Sequence, residues 1–232
     1  MSSEGPNDGQ PDRLRQRHPF DGEQWARGLR NSVGLAWDSV TQTLFAVSHG
    51  RDGLAARWPQ LYTSAQSAEQ PSEEFVAVRK GDDFGWPYCF HDNALGRKVL
   101  APEYGGDGRT AGRCSSAKEP VIGFPGHWGP NGLLFLTGAK LPAKYRGGAL
   151  IAFHGSWNRA PEPQAGYKVV FVPRAAGSFG PTYETFADGF AGGRFDPGGA
   201  VHRPVGLAEG ADGAIYISDD QRGRVWRVVY RQ

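Results

Sequence analysis

Three pairs of residues stand at matching places along the chain and are the first candidates for chemistry. They are Arg30 with Asn31, His127 with Trp128, and His202 with Arg203, each a few residues ahead of a Gly-Leu dipeptide. A second polar set follows the apolar runs further on: His49-Gly-Arg-Asp52, His154-Gly-Ser-Trp-Asn-Arg159 and Asp219-Asp220. Of the 6 histidines, His49, His127, His154 and His202 all fall in these two sets. An arginine presents a rigid fork that pairs bidentately with carboxylates, and Trp128 or Trp157 offers a flat face for stacking. The combination suits a planar polyanion. The H-G-R-D stretch adds hard oxygens, backbone carbonyls and a carboxylate, which favour Ca²⁺ over softer metals; many Gly-x-Asp turns of this kind bind nothing. His49 and His154 have the chemistry of zinc ligands, but no second pair accompanies them at metal spacing. Each of these side chains could equally serve to satisfy a turn backbone, and spacing alone leaves that alternative open.

The elements that must position these residues read as strands. Helical periodicity is hard to find, whereas short β-branched and aromatic runs are frequent. Gly34-Leu-Ala-Trp-Asp leads to Thr43–Ser48, Gly132-Leu-Leu-Phe-Leu-Thr leads to Ala149–Phe153, and Gly206-Leu-Ala-Glu leads to Ala214–Ser218. Tyr167–Val172 and Arg224–Tyr230 are two further strands, and D-G, G-G and P-x-G turns punctuate the series. The Gly-Leu starts form a degenerate repeat. The intervals from Gly34 to Gly132 and from Gly132 to Gly206 exceed the about 40–50 residues of a four-stranded blade, so the blades carry insertions. Repetition at this scale predicts an all-β fold, a β-propeller, of which about three blades are visible. Propellers typically have about 4–8 blades, and an open arc leaves unpaired edges. The expected architecture is therefore part of a ring, spanning residues 17–232, with strand ends of several blades converging on one site.

Composition narrows the function classes. The 232 residues carry a net charge of +2, with basic residues dispersed, which argues against a nucleic-acid groove. No apolar run is long enough to span a bilayer. The 34 Gly, 17 Pro and 12% aromatics suit strands joined by tight turns. Residues 1–16 form a polar leader expected to be disordered, without the apolar segment of a secretory signal. Either the protein is not exported or the true N-terminus lies upstream. Cys89 and Cys114 could close a disulfide in an oxidising compartment or remain two unrelated thiols. No CxxC or CxxCH pattern is present.

At the polar sets the sequence resembles a known family. G-L-R-N (28–31), H-G-R-D (49–52), G-W-P-Y-C (85–89), H-W-G-P-N-G-L (127–133), Y-R-G-G-A-L-I-A-F-H-G-S-W-N-R (145–159), R-P-V-G-L-A (203–208) and I-S-D-D (217–220) occur in this order. The series resembles the sorbosone dehydrogenase branch of the soluble quinoprotein glucose/sorbosone dehydrogenases, and H-G-S-W-N-R is its most diagnostic string. The resemblance implies the C-terminal half of a six-bladed propeller whose centre holds pyrroloquinoline quinone on Ca²⁺. It implies that Arg30 and Asn31 contact the quinone edge and the substrate. By the same analogy the backbone carbonyls of Gly50 and Arg51 ligate Ca²⁺ and Arg203 neutralises a cofactor carboxylate. Arg159, His154 and His127 are lesser contacts. The implied reaction is oxidation of a sugar, or of a sugar-derived aldehyde or alcohol, by hydride transfer to the quinone. Electrons then pass to a quinone, dye or cytochrome acceptor. The family's base histidine is expected ahead of G-L-R-N, so the site in this chain is half built, and a missing half or a second chain would close the ring. The resemblance also implies a periplasmic or secreted location. Two other readings stay open: an inactive fragment or non-enzymatic interaction module, and a Ca²⁺-dependent lactonase-type propeller, which would need more acidic metal ligands than these Arg-rich positions offer.

Overall fold

The computed structural model describes residues 22–138 and 140–231. The polar leader and His18 lie outside the described residues. From Asn31 onward the chain builds antiparallel sheets. Strands β1 (Asn31–Asp38), β2 (Thr43–His49) and β3 (Glu73–Val78) run in succession. An excursion then makes a separate hairpin, β4 (Cys89–Asp92) with β5 (Arg97–Leu100), before β6 (Ile122–Phe124) returns to complete a four-stranded sheet β1-β2-β3-β6. The second blade consists of β7 (Pro130–Phe135), β8 (Ala149–Phe153) and β9 (Lys168–Val172). A short pair, β10 (Arg174–Ala175) and β11 (Ser178–Phe179), precedes its outer strand β12 (Glu184–Ala187). The third sheet has β13 (Pro204–Glu209), β14 (Ile215–Asp219) and β15 (Arg224–Val228). The fold is an arc of three propeller blades. The stretch 53–72 contains two short helices, α1 (Leu54–Arg57) and α2 (Ser64–Glu69); a capping box between Thr63 and Gln66 starts the second.

The blades stack face to face, and the sequence of β8 shows why. Its five residues Ala-Leu-Ile-Ala-Phe are all buried, because alternate side chains enter different cores. Ala149, Ile151 and Phe153 pack with Phe45, Phe75 and Phe124 of the first blade. Leu150 and Ala152 pack with Ile215 and Ile217 of the third. In β9, Val170 and Val172 divide from Val169 and Phe171 in the same way. A continuous apolar run is thus a strand sandwiched between two neighbours. The end strands differ: Leu35 and Trp37 on β1, and Val225 and Trp226 on β15, are exposed.

The Gly-Leu repeat also acquires a physical cause. Each repeated glycine lies on the inner strand of its blade, and a register shift follows Ser32, Pro130 and Pro204 at the same place in β1, β7 and β13. A Cβ on Gly34 would meet Asn131 O at 3.2 Å and Leu133 N at 3.3 Å on β7. A Cβ on Gly132 would run into Val205 O on β13. At Gly34 and Gly132 the inner strands of neighbouring blades approach so closely that a side chain does not fit.

Candidate functional site

At the hub, the starts of the inner strands and the ends of their partners enclose a cavity of about 280 Å³. That is near the lower end of the ~300–1,000 Å³ typical of small-molecule sites. Arg30, Asn31, Gly50, His127, His154 and Arg203, from all three blades, line it together. Arg51 and Arg159 do not.

Arg30 anchors the first-blade wall. Its Nη1 donates to Gly50 O at 2.7 Å and its Nη2 to Asp52 Oδ2 at 2.6 Å, while the guanidinium rests 5.5 Å from the Trp86 ring. Asp52 is shared further: its Oδ1 accepts from Asn158 Nδ2 at 2.8 Å and lies 3.3 Å from His127 Nδ1. Burial would raise the Asp52 carboxyl, but the bonds and charges of His127 and Arg30 outweigh it and hold it at about 2. His127 sits at φ +59°, in the left-handed region, and its Nε2 faces Ser67 O at 3.0 Å. Beneath both loops lies Glu73, nearly inaccessible at 2% exposure. It takes a hydrogen bond from Gly50 N at 3.2 Å and lies against the backbone N–H groups of Gly129 and His127. Burial nevertheless pushes its carboxyl up to about 7.

His49 projects from the end of β2 with Nε2 2.8 Å from Asn131 Oδ1 and 3.2 Å from Pro130 O. Two acceptors at that nitrogen place the proton there, leaving Nδ1 toward Asn31 Nδ2 at 3.5 Å. Burial lowers its pKa and keeps the ring neutral. On the opposite wall, Arg203 Nη2 donates to His154 Nδ1 at 2.8 Å. Arginine has no lone pair to offer, so in that contact Nδ1 accepts, while the same nitrogen lies 3.0 Å from Gly155 O and His154 Nε2 lies 2.8 Å from Asp220 Oδ2. Asp219, buried one residue earlier, accepts from Arg203 N at 2.9 Å and pairs with His202 at 2.6 Å. The S-D-D string therefore positions the Arg203 wall. Trp157 lies 5.5 Å from the Arg203 guanidinium and is largely open to solvent.

Arg159, expected at the site, is turned away from it, and so is the side chain of Arg51, of which only the backbone carbonyl was expected to contribute. The chain bends after Asn158, and Arg159 runs inward, donating to Ala68 O, Gly126 O and Pro163 O at 2.8 Å each and pairing with Glu69. Its guanidinium joins α2 to the loop before β7, so its observed contacts are structural. Replacing Arg159 with Met is expected to cost about 3 kcal/mol, because buried carbonyls lose their donor, and to leave ligand binding in the cavity intact. Urea unfolding beside a binding titration checks this; weakened binding at unchanged stability would contradict it. Arg51 is also buried, paired bidentately with Glu103 at 2.8 Å and flanked by Trp58 and Phe90. Cys89 and Cys114 form a disulfide that ties the start of β4 to the loop beyond β5.

Among the described residues no three His, Cys, Asp or Glu side chains are grouped to hold a metal. A cation here would rest on the hard oxygens of Gly50 and Asp52, which suits Ca²⁺ better than zinc. Arg30 and Arg203 face the cavity from opposite blades, as a flat polycarboxylate requires, with Trp157 beside Arg203. The residues fit both groups.

Fold and site together define a propeller-type chain with a cationic, oxygen-lined hub. The chain belongs to the TrAA12-like family, which matches residues 10–232. It is 33% identical over 236 residues to a pyrroloquinoline quinone-dependent pyranose dehydrogenase of Coprinopsis cinerea, covering 86% of this chain and 30% of that protein. It is 29% identical over 212 residues to an uncharacterized protein of Borreliella burgdorferi, covering 89% and 48%. The calcium structure of a Trichoderma reesei member of Carbohydrate-Active Enzymes Family AA12 superposes with a TM-score of 0.64 at 22% identity, covering 86% of this chain and 52% of that one. The chain thus spans about half the length of these proteins or less. No described helix is long and apolar enough to cross a membrane.

Proposed function

We propose that this chain forms part of the cofactor and substrate hollow of a sugar-oxidising quinoprotein. The observation that carries this reading is the convergence of Arg30 and Arg203, from the first and third blades, on one cavity with Gly50 O and Asp52. When bound, pyrroloquinoline quinone on Ca²⁺ supplies the hydride acceptor. Arg203, oriented by His154 and Asp220, pairs with a carboxylate. Arg30 and Asn31 hold the substrate oxygen and stabilise negative charge developing nearby. The carbonyls of Gly50 and Arg51 would support the cation, and His127 fixes Asp52 in place. The substrate is an aldose or a sugar-derived aldehyde or alcohol of the sorbosone type, and a soluble quinone, dye or cytochrome takes the electrons. The base that removes the substrate proton is expected from blades beyond these three, which would also cover the apolar faces of β1 and β15, as part of a longer polypeptide or a second copy. The Cys89–Cys114 disulfide supports an oxidising compartment, the periplasm or the exterior.

Titrating the chain with pyrroloquinoline quinone in the presence of Ca²⁺, followed by absorbance, tests the reading. Saturable 1:1 binding is expected, and Arg203→Ala should weaken it at least about tenfold, as loss of a charge-assisted pair requires. Sugar-dependent dye reduction should appear once the remaining blades are supplied. Absence of any quinone binding would overturn the proposal.

A further inference from the structure

One guanidinium bridges the two oxygens best placed for a divalent cation. Arg30 donates to Gly50 O at 2.7 Å and to Asp52 Oδ2 at 2.6 Å. Gly50 cannot shift to escape it: a Cβ there would meet Pro71 O and Ser72 O at 2.6 Å each, and its N–H is held by Glu73. Asp52 is fixed through its other oxygen by Asn158 and His127. The movable member is Arg30, a long side chain, 28% exposed, at the cavity wall.

We infer that Arg30 is an exchangeable cation: a carboxylate ligand draws it off Gly50 O and Asp52, vacating both oxygens for a divalent ion, so anion and cation bind cooperatively. The inference rests on the cofactor reading above and adds one role to it, Arg30 as the metal's competitor at Gly50 O and Asp52. Without an anion in the cavity, a Ca²⁺ ion must displace two charge-assisted hydrogen bonds before it can bind. With a carboxylate present, Arg30 has another partner and that displacement is already made. Linkage requires the reverse effect to be equal, so Ca²⁺ also tightens anion binding by releasing Arg30 toward the cavity.

Calorimetric titration of the full chain with Ca²⁺ alone decides the matter. Arg30→Gln is expected to bind Ca²⁺ about tenfold more tightly than the unaltered protein, within the usual range of coupled sites, whereas Asp52→Asn should lose the site. Benzene-1,3,5-tricarboxylate, a flat triacid without quinone oxygens, should tighten Ca²⁺ binding about tenfold in the unaltered protein and leave Arg30→Gln unchanged. Should Arg30→Gln fail to fold by circular dichroism, the triacid effect in the unaltered protein carries the test, and no effect overturns the inference. If pyrroloquinoline quinone and Ca²⁺ bind but Arg30→Gln gains no Ca²⁺ affinity, the exchange is wrong and the functional reading stands. If neither binds, both fall.

Discussion

Glu73→Gln is expected to remove a pH dependence of stability worth about 3 kcal/mol. The Glu73 carboxyl, at 4.5 in the unfolded chain, is pushed up to about 7 by burial. Its folded pKa is raised, so its stabilising contribution is complete below about 4.5 and is lost as pH rises through about 7. At 1.36 kcal/mol per pKa unit, the span between the two values gives roughly 3 kcal/mol. Other groups bend the profile differently: Asp52, held at about 2, contributes stability that is lost as pH falls, and so does His91, which burial lowers to about 4. The difference between variant and unaltered protein isolates Glu73. Urea unfolding at several values between pH 4.5 and 8 should show the Gln variant gaining on the unaltered protein as pH rises, and parallel profiles would refute the assignment.

Gly132→Ala should be among the most damaging single-methyl changes in the molecule, at about 3 kcal/mol or more. Its Cβ would press on Val205 O, a backbone atom of the next blade that cannot rotate aside. Gly206→Ala supplies the contrast. There the nearest heavy atom is Ser218 Oγ at 2.8 Å, the end of a small side chain, so a cost near 1 kcal/mol is expected. Gly34→Ala, against Val47 Cγ2 at 2.7 Å and the β7 backbone, should fall between. Thermal melts of the three variants test the order; equal effects would mean that the inner strands are not in rigid contact.

Much of this was legible before any coordinates. The Gly-Leu repeat is legible because at Gly34 and Gly132 only glycine tolerates the close approach of the next inner strand, which leaves a mark at matching places in the first two blades. The polar residues at the ends of those strands stand at matching places in the sequence, and Arg30, Asn31, Gly50, His127, His154 and Arg203 line one cavity. What was not legible depends on side-chain direction. Arg159 closes a long motif string, but the bend after Asn158 sends it into the body of the protein. Glu73 opens a strand of ordinary appearance, and only the pairing of β3 with β2 and β6 reveals that its carboxyl lies under the site loops. The one signal available was an adjacent pair of acids, Glu73 and Glu74, ahead of Phe75-Val76-Ala77-Val78. Glu74 is likewise buried, paired with Lys98 of β5 at 2.7 Å, a partner that local periodicity does not identify.

At the axle of this wheel, main chain from one spoke touches main chain from the next. The spacing there is set by the thickness of a polypeptide backbone for as long as Gly34 and Gly132 carry no side chain. Residues around the hollow can therefore be exchanged, changing its charge and what it grips, while its bore stays the same.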